Sequence, residues 1–313
     1  MKKLVILSGP TAVGKTAISI ELAKRMNAEI ISADSMQVYQ KMNIGTAKIT
    51  PDEMCGIRHY MIDELMPDEP FNVVVFQKMA KAYMNEIYQK DKIPLLVGGT
   101  GFYIQSIIKD IDFEETNEDL QYRQSLENRA KIDGAQVLFD ELKRIDPVSA
   151  EKIHANNIKR VIRALEYYHL TGKRISEHNE EESKKDSPYE YYYFTLTDQR
   201  DKLYRQIDRR VDQMMEQGLL EEVKSLYEAG YTKDLISMQG LGYKELYACL
   251  DGLCTLDEAV DKIKRETRHF AKRQLTWFKR EQNVIWIDKQ EFKYDDESII
   301  AYMLQKIAEG NED

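Results

Sequence analysis

The 313-residue sequence predicts an α/β protein: a parallel sheet flanked by helices, with a helical insertion. Three observations carry this expectation. Short apolar runs at Lys3–Ser8, Ala28–Ala33, Ile93–Val97, Tyr191–Leu196 and Val284–Ile287 alternate with segments whose apolar residues recur at helical spacing. The first run leads directly into Gly9-Pro10-Thr11-Ala12-Val13-Gly14-Lys15-Thr16, which reads G-x-x-x-x-G-K-T, a phosphate-binding loop, and Ala17–Met26 continues as a helix. Residues 113–187, by contrast, are charged, with helical spacing and little strand propensity.

The elements follow in order. Strand, loop and helix at the N-terminus place several backbone N–H groups around a phosphate, with the helix N-terminus adding partial positive charge. Lys15 supplies a full charge, and the Thr16 hydroxyl can ligate Mg²⁺. A Gly-rich turn that binds nothing is the plain alternative. The second strand ends in Asp34-Ser35-Met36-Gln37-Val38-Tyr39, where parallel sheets collect functional groups; Asp34 reads equally well as a helix cap. Met42–Lys48 is a loop, and His59–Asp63 reads as a third strand. Phe71–Gln89 is a helix with Val74, Met79, Tyr83 and Ile87 on one side. The fourth strand ends in Gly98-Gly99-Thr100-Gly101, where many P-loop hydrolases place an acid that organises water attack. The glycines here permit close approach by a ligand, and Thr100 is either a hydroxyl for that ligand or a cap.

Within the insertion, helices are expected around Leu120–Arg123, Val137–Phe139 and Ile158–Leu170, and Asn179–Pro188 reads as an exposed loop. The tyrosine-rich strand then returns the chain to the sheet, its rings serving packing. Asp201–Ala229 is helical with Gly218 as a weak point; Asp208 and Arg210 fall off its apolar face and read as solvated charges. Gln239-Gly240-Leu241-Gly242-Tyr243-Lys244 turns into another helix. Lys262–Arg280 carries eight Lys/Arg against one acid, together with Gln274, Trp277 and Phe278. That mixture suits phosphate contacts and base stacking, and suits a surface helix with a buried Trp equally well. A last strand, a helix and an acidic tail follow. The fold expected is thus a P-loop NTPase-like sheet formed by 1–112 and 188–313, with an all-helical domain at 113–187.

Composition bounds the function. A net charge of −9 argues against wholesale electrostatic binding of nucleic acid, though not against a local basic face. Three cysteines, Cys55, Cys249 and Cys254, without C-x-x-C spacing and only five histidines give no metal-finger pattern, and the cysteines are expected to be free buried thiols in a reducing cytoplasm. No signal peptide or membrane span is evident at the N-terminus.

These stretches in series resemble the tRNA dimethylallyltransferase (tRNA isopentenyltransferase) family. The resemblance rests on Gly9–Thr16, Asp34–Tyr39, Ile44-Gly45-Thr46-Ala47-Lys48, Leu96–Thr100, Arg160–Glu166, Gly240–Lys244 and Lys272–Trp277, and it covers nearly the whole chain. It implies transfer of a dimethylallyl group from dimethylallyl diphosphate to the exocyclic amine of the adenosine 3′ of the tRNA anticodon. Mg²⁺ is implied as cofactor, held by Thr16. Residues Gly9, Pro10, Thr11, Ala12, Val13, Gly14, Lys15 and Thr16 would bind the diphosphate, with Arg210 as a second cation. Asp34 would be the general base, and Thr100 would orient the acceptor. The implied tRNA contacts are Asp34, Ser35, Met36, Gln37, Thr100, Arg123, Lys159, Arg160, Arg163, Gln239, Gly240, Leu241, Gly242, Tyr243, Lys244, Lys272, Arg273, Gln274, Trp277 and Lys279. The partners are the anticodon stem-loop and the prenyl donor, with no membrane and no obligate protein partner, so a monomer is expected. Eukaryotic members carry a C-terminal zinc finger that this sequence lacks, which points to the bacterial type. Three rivals remain: a small-molecule kinase, a prenyltransferase of free adenine nucleotides, and an RNA-binding nucleotide switch.

Overall fold

The computed structural model describes residues 1–113 and 119–310. They divide into two compact units, 1–108 with 188–313, and 109–187.

The larger unit is built on six strands, β1 (Lys2–Ser8), β2 (Ala28–Ala33), β3 (His59–Tyr60), β4 (Ile93–Gly98), β5 (Tyr189–Thr197) and β6 (Val284–Asp288), in the order β3-β2-β4-β1-β5-β6. Every pairing is parallel. Such a sheet needs helices on both faces, which is why β1 reads as an unbroken apolar run. Its side chains alternate between the two cores: Leu4 and Ile6 pack into one, Val5 and Leu7 into the other, and all four are fully buried. The tyrosines of β5 obey the same alternation, with Tyr193 on one side and Tyr192 and Phe194 on the other.

Helices α1 (Lys15–Met26), α2 (Val73–Gln89) and α3 (Gly101–Ile108) follow β1, β3 and β4. Asn72 caps α2, accepting the N–H groups of Val74 and Val75. Its buried stripe is Phe76, Ala80, Met84 and Ile87; Val74, expected on that stripe, is exposed. The third strand is shorter than its composition suggests. It stops at Tyr60 because Met61 and Asp63 adopt left-handed conformations, φ 64° and 57°. The Lys48 ammonium holds Asp63 there at 2.5 Å.

The smaller unit contains α4 (Leu120–Ile132), α5 (Ala135–Ile145), α6 (Pro147–Lys152), α7 (Ile158–Thr171) and α8 (Ile175–Lys184). They enclose a core of Leu126, Leu138, Leu142, Val161 and Leu165. Helix α8 takes the first part of the loop expected at 179–188, as far as Lys184, and 185–188 is without helix or strand as expected. The charged residues of α8 are good helix formers and pair along the chain, Lys184 with Glu180 at 2.6 Å. Glu182 is buried and accepts the N–H of Asp112 at 2.9 Å.

Back in the larger unit come α9 (Arg200–Glu216), α10 (Leu219–Glu228), α11 (Tyr243–Leu250), α12 (Leu256–Phe278) and α13 (Asp296–Glu309), with a single 3₁₀ turn at Ser237–Gln239. The long helix expected at 201–229 is broken at Gly218, whose φ of 98° suits glycine. The acidic tail at 311–313 lies outside the described residues.

Candidate active site

The site lies beyond the carboxyl ends of β1, β2 and β4, at the centre of the sheet. The phosphate loop leaves β1 at Gly9, where a Cβ would come within 2.7 Å of the Leu196 carbonyl. Only glycine lets the loop lie that close to β5. The loop reaches α1 through Gly14, φ 93°. Lys15 curls back over it, donating to the carbonyls of Gly9 at 3.0 Å and Pro10 at 2.9 Å. Burial, helped by the neighbouring Arg210 cation, lowers the Lys15 pKa to about 8, while Asp34 pulls it the other way. Burial also lowers the pKa of Arg210, again against the charge of Asp34. Arg210 is therefore not the solvated surface charge that helical spacing suggests. It points into the site, and its neighbour Asp208 pairs instead with Arg268.

Asp34 follows β2, and its Oδ1 accepts the N–H groups of Met36 at 2.8 Å and Gln37 at 3.3 Å. No helix follows Asp34, so it caps a turn rather than the helix start expected there. Thr100 follows β4 and donates its N–H to the Ala33 carbonyl at 3.2 Å, one residue before Asp34.

A cavity of about 280 Å³ opens here, entirely within the larger unit. Its polar lining includes Thr11, Asp34, Ser35, Arg210 and Arg273; its apolar lining includes Ile207, Val211, Met214, Leu219, Ile263 and Phe270. The turn Gln239–Lys244, Met36 and Gly45–Ala47 also line it.

Glu222 organises one wall, and nothing in its sequence context signals this. Its carboxylate accepts three consecutive backbone N–H groups, Asn43 and Ile44 at 2.8 Å and Gly45 at 3.1 Å, plus the Tyr243 hydroxyl at 2.6 Å. A Cβ on Gly45 would strike the Tyr243 ring at 2.5 Å. Burial and the adjacent Glu222 charge push the Tyr243 phenol far up, so it stays a neutral donor.

Other residues assigned by resemblance fall in different settings. Gln37 is engaged within the fold, accepting from Ser32 and donating to the Thr46 carbonyl at 3.2 Å. Tyr243 is buried, whereas Gln239 and Lys244 are exposed. In the smaller unit, Arg123 makes a bidentate pair with the buried Glu166 at 2.6 and 3.0 Å. Lys159, Arg160 and Arg163 are exposed on the face of α7 opposite its buried Val161 and Leu165. Along α12, Lys272, Arg273 and Lys279 are exposed. Lys264 and Arg268 are instead held by Asp212 and Asp208 of α9, so part of the basic run serves helix packing. Gln274 is buried. The glycines after β4 admit protein side chains: a Cβ on Gly99 would lie 2.1 Å from Gln274, and one on Gly101 would lie 2.1 Å from Trp277.

A family model described as IPP transferase matches residues 37–281. The chain belongs to this family. A tRNA dimethylallyltransferase of Lachnoclostridium phytofermentans is 60% identical over 309 residues, covering 99% of this chain and 98% of its own. One from Acetivibrio thermocellus is 51% identical over 299 residues, 96% of each. Among solved structures, the full-length tRNA isopentenylpyrophosphate transferase of Bacillus halodurans is 47% identical, with a TM-score of 0.74 over 99% of this chain and 98% of its own. A eukaryotic dimethylallyltransferase acting on tRNA is 31% identical, with a TM-score of 0.80 over 92% of this chain and 74% of its own. Family members thus share the P-loop sheet described here.

Among the described residues no cluster of His, Cys, Asp or Glu gathers as a metal site. The protein offers the exposed Thr16 hydroxyl at the start of α1. That donor set fits Mg²⁺ taking most of its oxygens from a diphosphate and water.

Proposed function

We propose that the protein transfers a dimethylallyl group from dimethylallyl diphosphate to the N6 amine of the adenosine 3′ of the tRNA anticodon, releasing diphosphate. One observation carries the reading: phosphate-loop residues Thr11 and Ala12, the Arg210 cation and the Asp34 carboxylate line one cavity together with apolar walls. A prenyl diphosphate needs both a phosphate cradle and an apolar wall for its tail. The names of the relatives agree with it.

The loop N–H groups, Lys15 and Arg210 hold the diphosphate. As the carbon–oxygen bond breaks, its electron pair passes to the diphosphate, and these donors stabilise the charge that develops. The apolar walls take the five-carbon tail and keep water from the electrophilic carbon. The acceptor amine is weakly nucleophilic because its lone pair is delocalised into the ring. Asp34 hydrogen-bonds that amine and takes its proton as the new nitrogen–carbon bond forms. Thr100 orients the same base, which must leave its stack to arrive. Thr16 would help to hold a Mg²⁺ ion, which when bound would supply neutralising charge to the leaving group. Exposed cations on α7 and α12 grip the anticodon stem-loop. The protein would act as a monomer in the cytoplasm; no described helix is long and apolar enough to cross a membrane.

Purified protein given Mg²⁺, labelled dimethylallyl diphosphate and unmodified tRNA is expected to place label in the RNA. Label on free AMP but not on tRNA, or nucleotide hydrolysis without transfer, would refute the assignment.

Lys272→Ala and Lys279→Ala are each expected to weaken tRNA binding and to lower the slope of log K against log salt by about one. A slope equal to wild type would remove these lysines from the RNA interface.

A further inference from the structure

Gln274 lies on α12 between exposed cations, yet its side chain turns inward and is buried. Its amide makes two hydrogen bonds of opposite sense. Oε1 accepts the backbone N–H of Thr11, in the phosphate loop, at 2.9 Å. Nε2 donates to the carbonyl of Gly99, after β4, at 3.0 Å. The partners dictate this orientation of the amide, because a flipped group would set donor against donor and acceptor against acceptor. Gly99 precedes Thr100, whose N–H holds the Ala33 carbonyl at 3.2 Å, and Ala33 precedes Asp34. One amide therefore stands between the loop that cradles the donor and the strand ends that present the base and the acceptor's partner.

We propose that Gln274 is a positioning residue for prenyl transfer: it sets the phosphate loop in register with Thr100 and Asp34, and so fixes the distance between the donor carbon and the acceptor amine. The resemblance places Gln274 on the tRNA; the structure gives both ends of its amide to the protein instead. The loop also gives up the Thr11 N–H as a phosphate donor, since that hydrogen already has a partner. Thr11 thus shapes the cradle, and the remaining N–H groups with Lys15 hold the ligand. Gly99 is part of the same device: any Cβ there would fall 2.1 Å from Nε2 and displace the amide. The proposal rests on reading the loop as the cradle of a prenyl diphosphate.

Gln274→Met keeps the volume and removes both hydrogen bonds. Gln274→Glu keeps an acceptor for Thr11 and sets an oxygen against the Gly99 carbonyl. Gly99→Ala attacks the contact from the other side. Single-turnover transfer with saturating tRNA and dimethylallyl diphosphate is expected to fall ~10²-fold in Gln274→Met, the order of loss that a misplacement of about 1 Å brings. Gly99→Ala should match it, and Gln274→Glu should fall less or equally. Binding of tRNA and of pyrophosphate, measured separately by titration, should stay at wild-type values. A residue that only supports folding would lower the melting temperature without this split between rate and affinity. Wild-type rates in both Gln274→Met and Gly99→Ala would overturn the proposal. So would a loss in Gln274→Met accounted for by weaker tRNA binding with a smaller salt slope, since that is an RNA contact. If Gln274→Met does not fold, Gly99→Ala and Gln274→Glu decide by the same readouts. Failure of wild-type protein to transfer label from dimethylallyl diphosphate would instead refute the reading of the cradle.

Discussion

Asp34→Asn is expected to lower the rate of prenyl transfer by ~10²–10⁴-fold, the range for loss of a positioned general base, while tRNA and diphosphate binding remain near wild type. The structure makes this substitution a clean probe. Asp34 uses Oδ1 to accept the Met36 and Gln37 N–H groups, and an asparagine oxygen can take over both bonds. The turn after β2 keeps its shape, and so do Ser35 and Met36, which line the cavity. What asparagine cannot do is receive a proton from the acceptor amine. The measurement is single-turnover transfer to tRNA at saturating donor, with both dissociation constants in parallel. A rate equal to wild type would remove Asp34 from the proton transfer. A rate loss matched by lost tRNA affinity would make Asp34 a binding group.

What could be read from the sequence divides along a physical line. Strands β1, β2, β4, β5 and β6 and the phosphate loop are local patterns, an apolar run ending in glycine or a polar turn, and they stand where those patterns put them. The sequence overextends the third strand because the left-handed conformations at Met61 and Asp63 depend on long-range partners such as Lys48. The part of α8 from Asn179 to Lys184 reads as a loop in the sequence because a charged run with no apolar stripe looks solvated. Its stability comes from pairs one turn apart and from Glu182 buried against Asp112. At the site, motif residues such as Asp34 and Lys15 were legible, being adjacent in sequence to a strand end. Arg210, Glu222 and Gln274 were not legible from spacing. Each acts on a segment far away in the chain, and a helical wheel shows only which face a residue occupies, not what that face meets. Resemblance singles out Arg210, which lines the cavity, and assigns Gln274 to the tRNA, whereas its amide bonds Thr11 and Gly99 within the fold. Nothing pointed to Glu222, whose role is visible only as N–H groups converging on one carboxylate.

Arg210→Met is expected to cut the rate of transfer by ~10²–10³-fold, the loss typical of one donor aimed at developing charge, and also to change how donor binding depends on pH. The second effect follows from the Arg210–Lys15 pair. Lys15 has its pKa lowered to about 8 by burial and then by the Arg210 charge. Below that pH it is a cation facing the diphosphate; above it, in the free protein, it is neutral. Bound diphosphate favours the protonated lysine, so binding takes up a proton once the pH exceeds about 8, and affinity falls as pH rises through that value. Removing Arg210 removes a repulsion, so the Lys15 midpoint should move upward, while the dominant effect of burial keeps it below that of a free lysine. Affinity at low pH drops because one cation is gone, yet it persists to higher pH. Pyrophosphate titrates in the same range, so the comparison is made against Lys15→Arg, in which the ligand ionises identically but the loop cation does not. The experiment is a pyrophosphate titration across pH in wild type, Lys15→Arg and Arg210→Met. A wild-type profile parallel to Lys15→Arg would show that Lys15 does not titrate there. An unmoved midpoint in Arg210→Met would separate Arg210 electrostatically from the loop, and with it the reason for placing both cations on one leaving group.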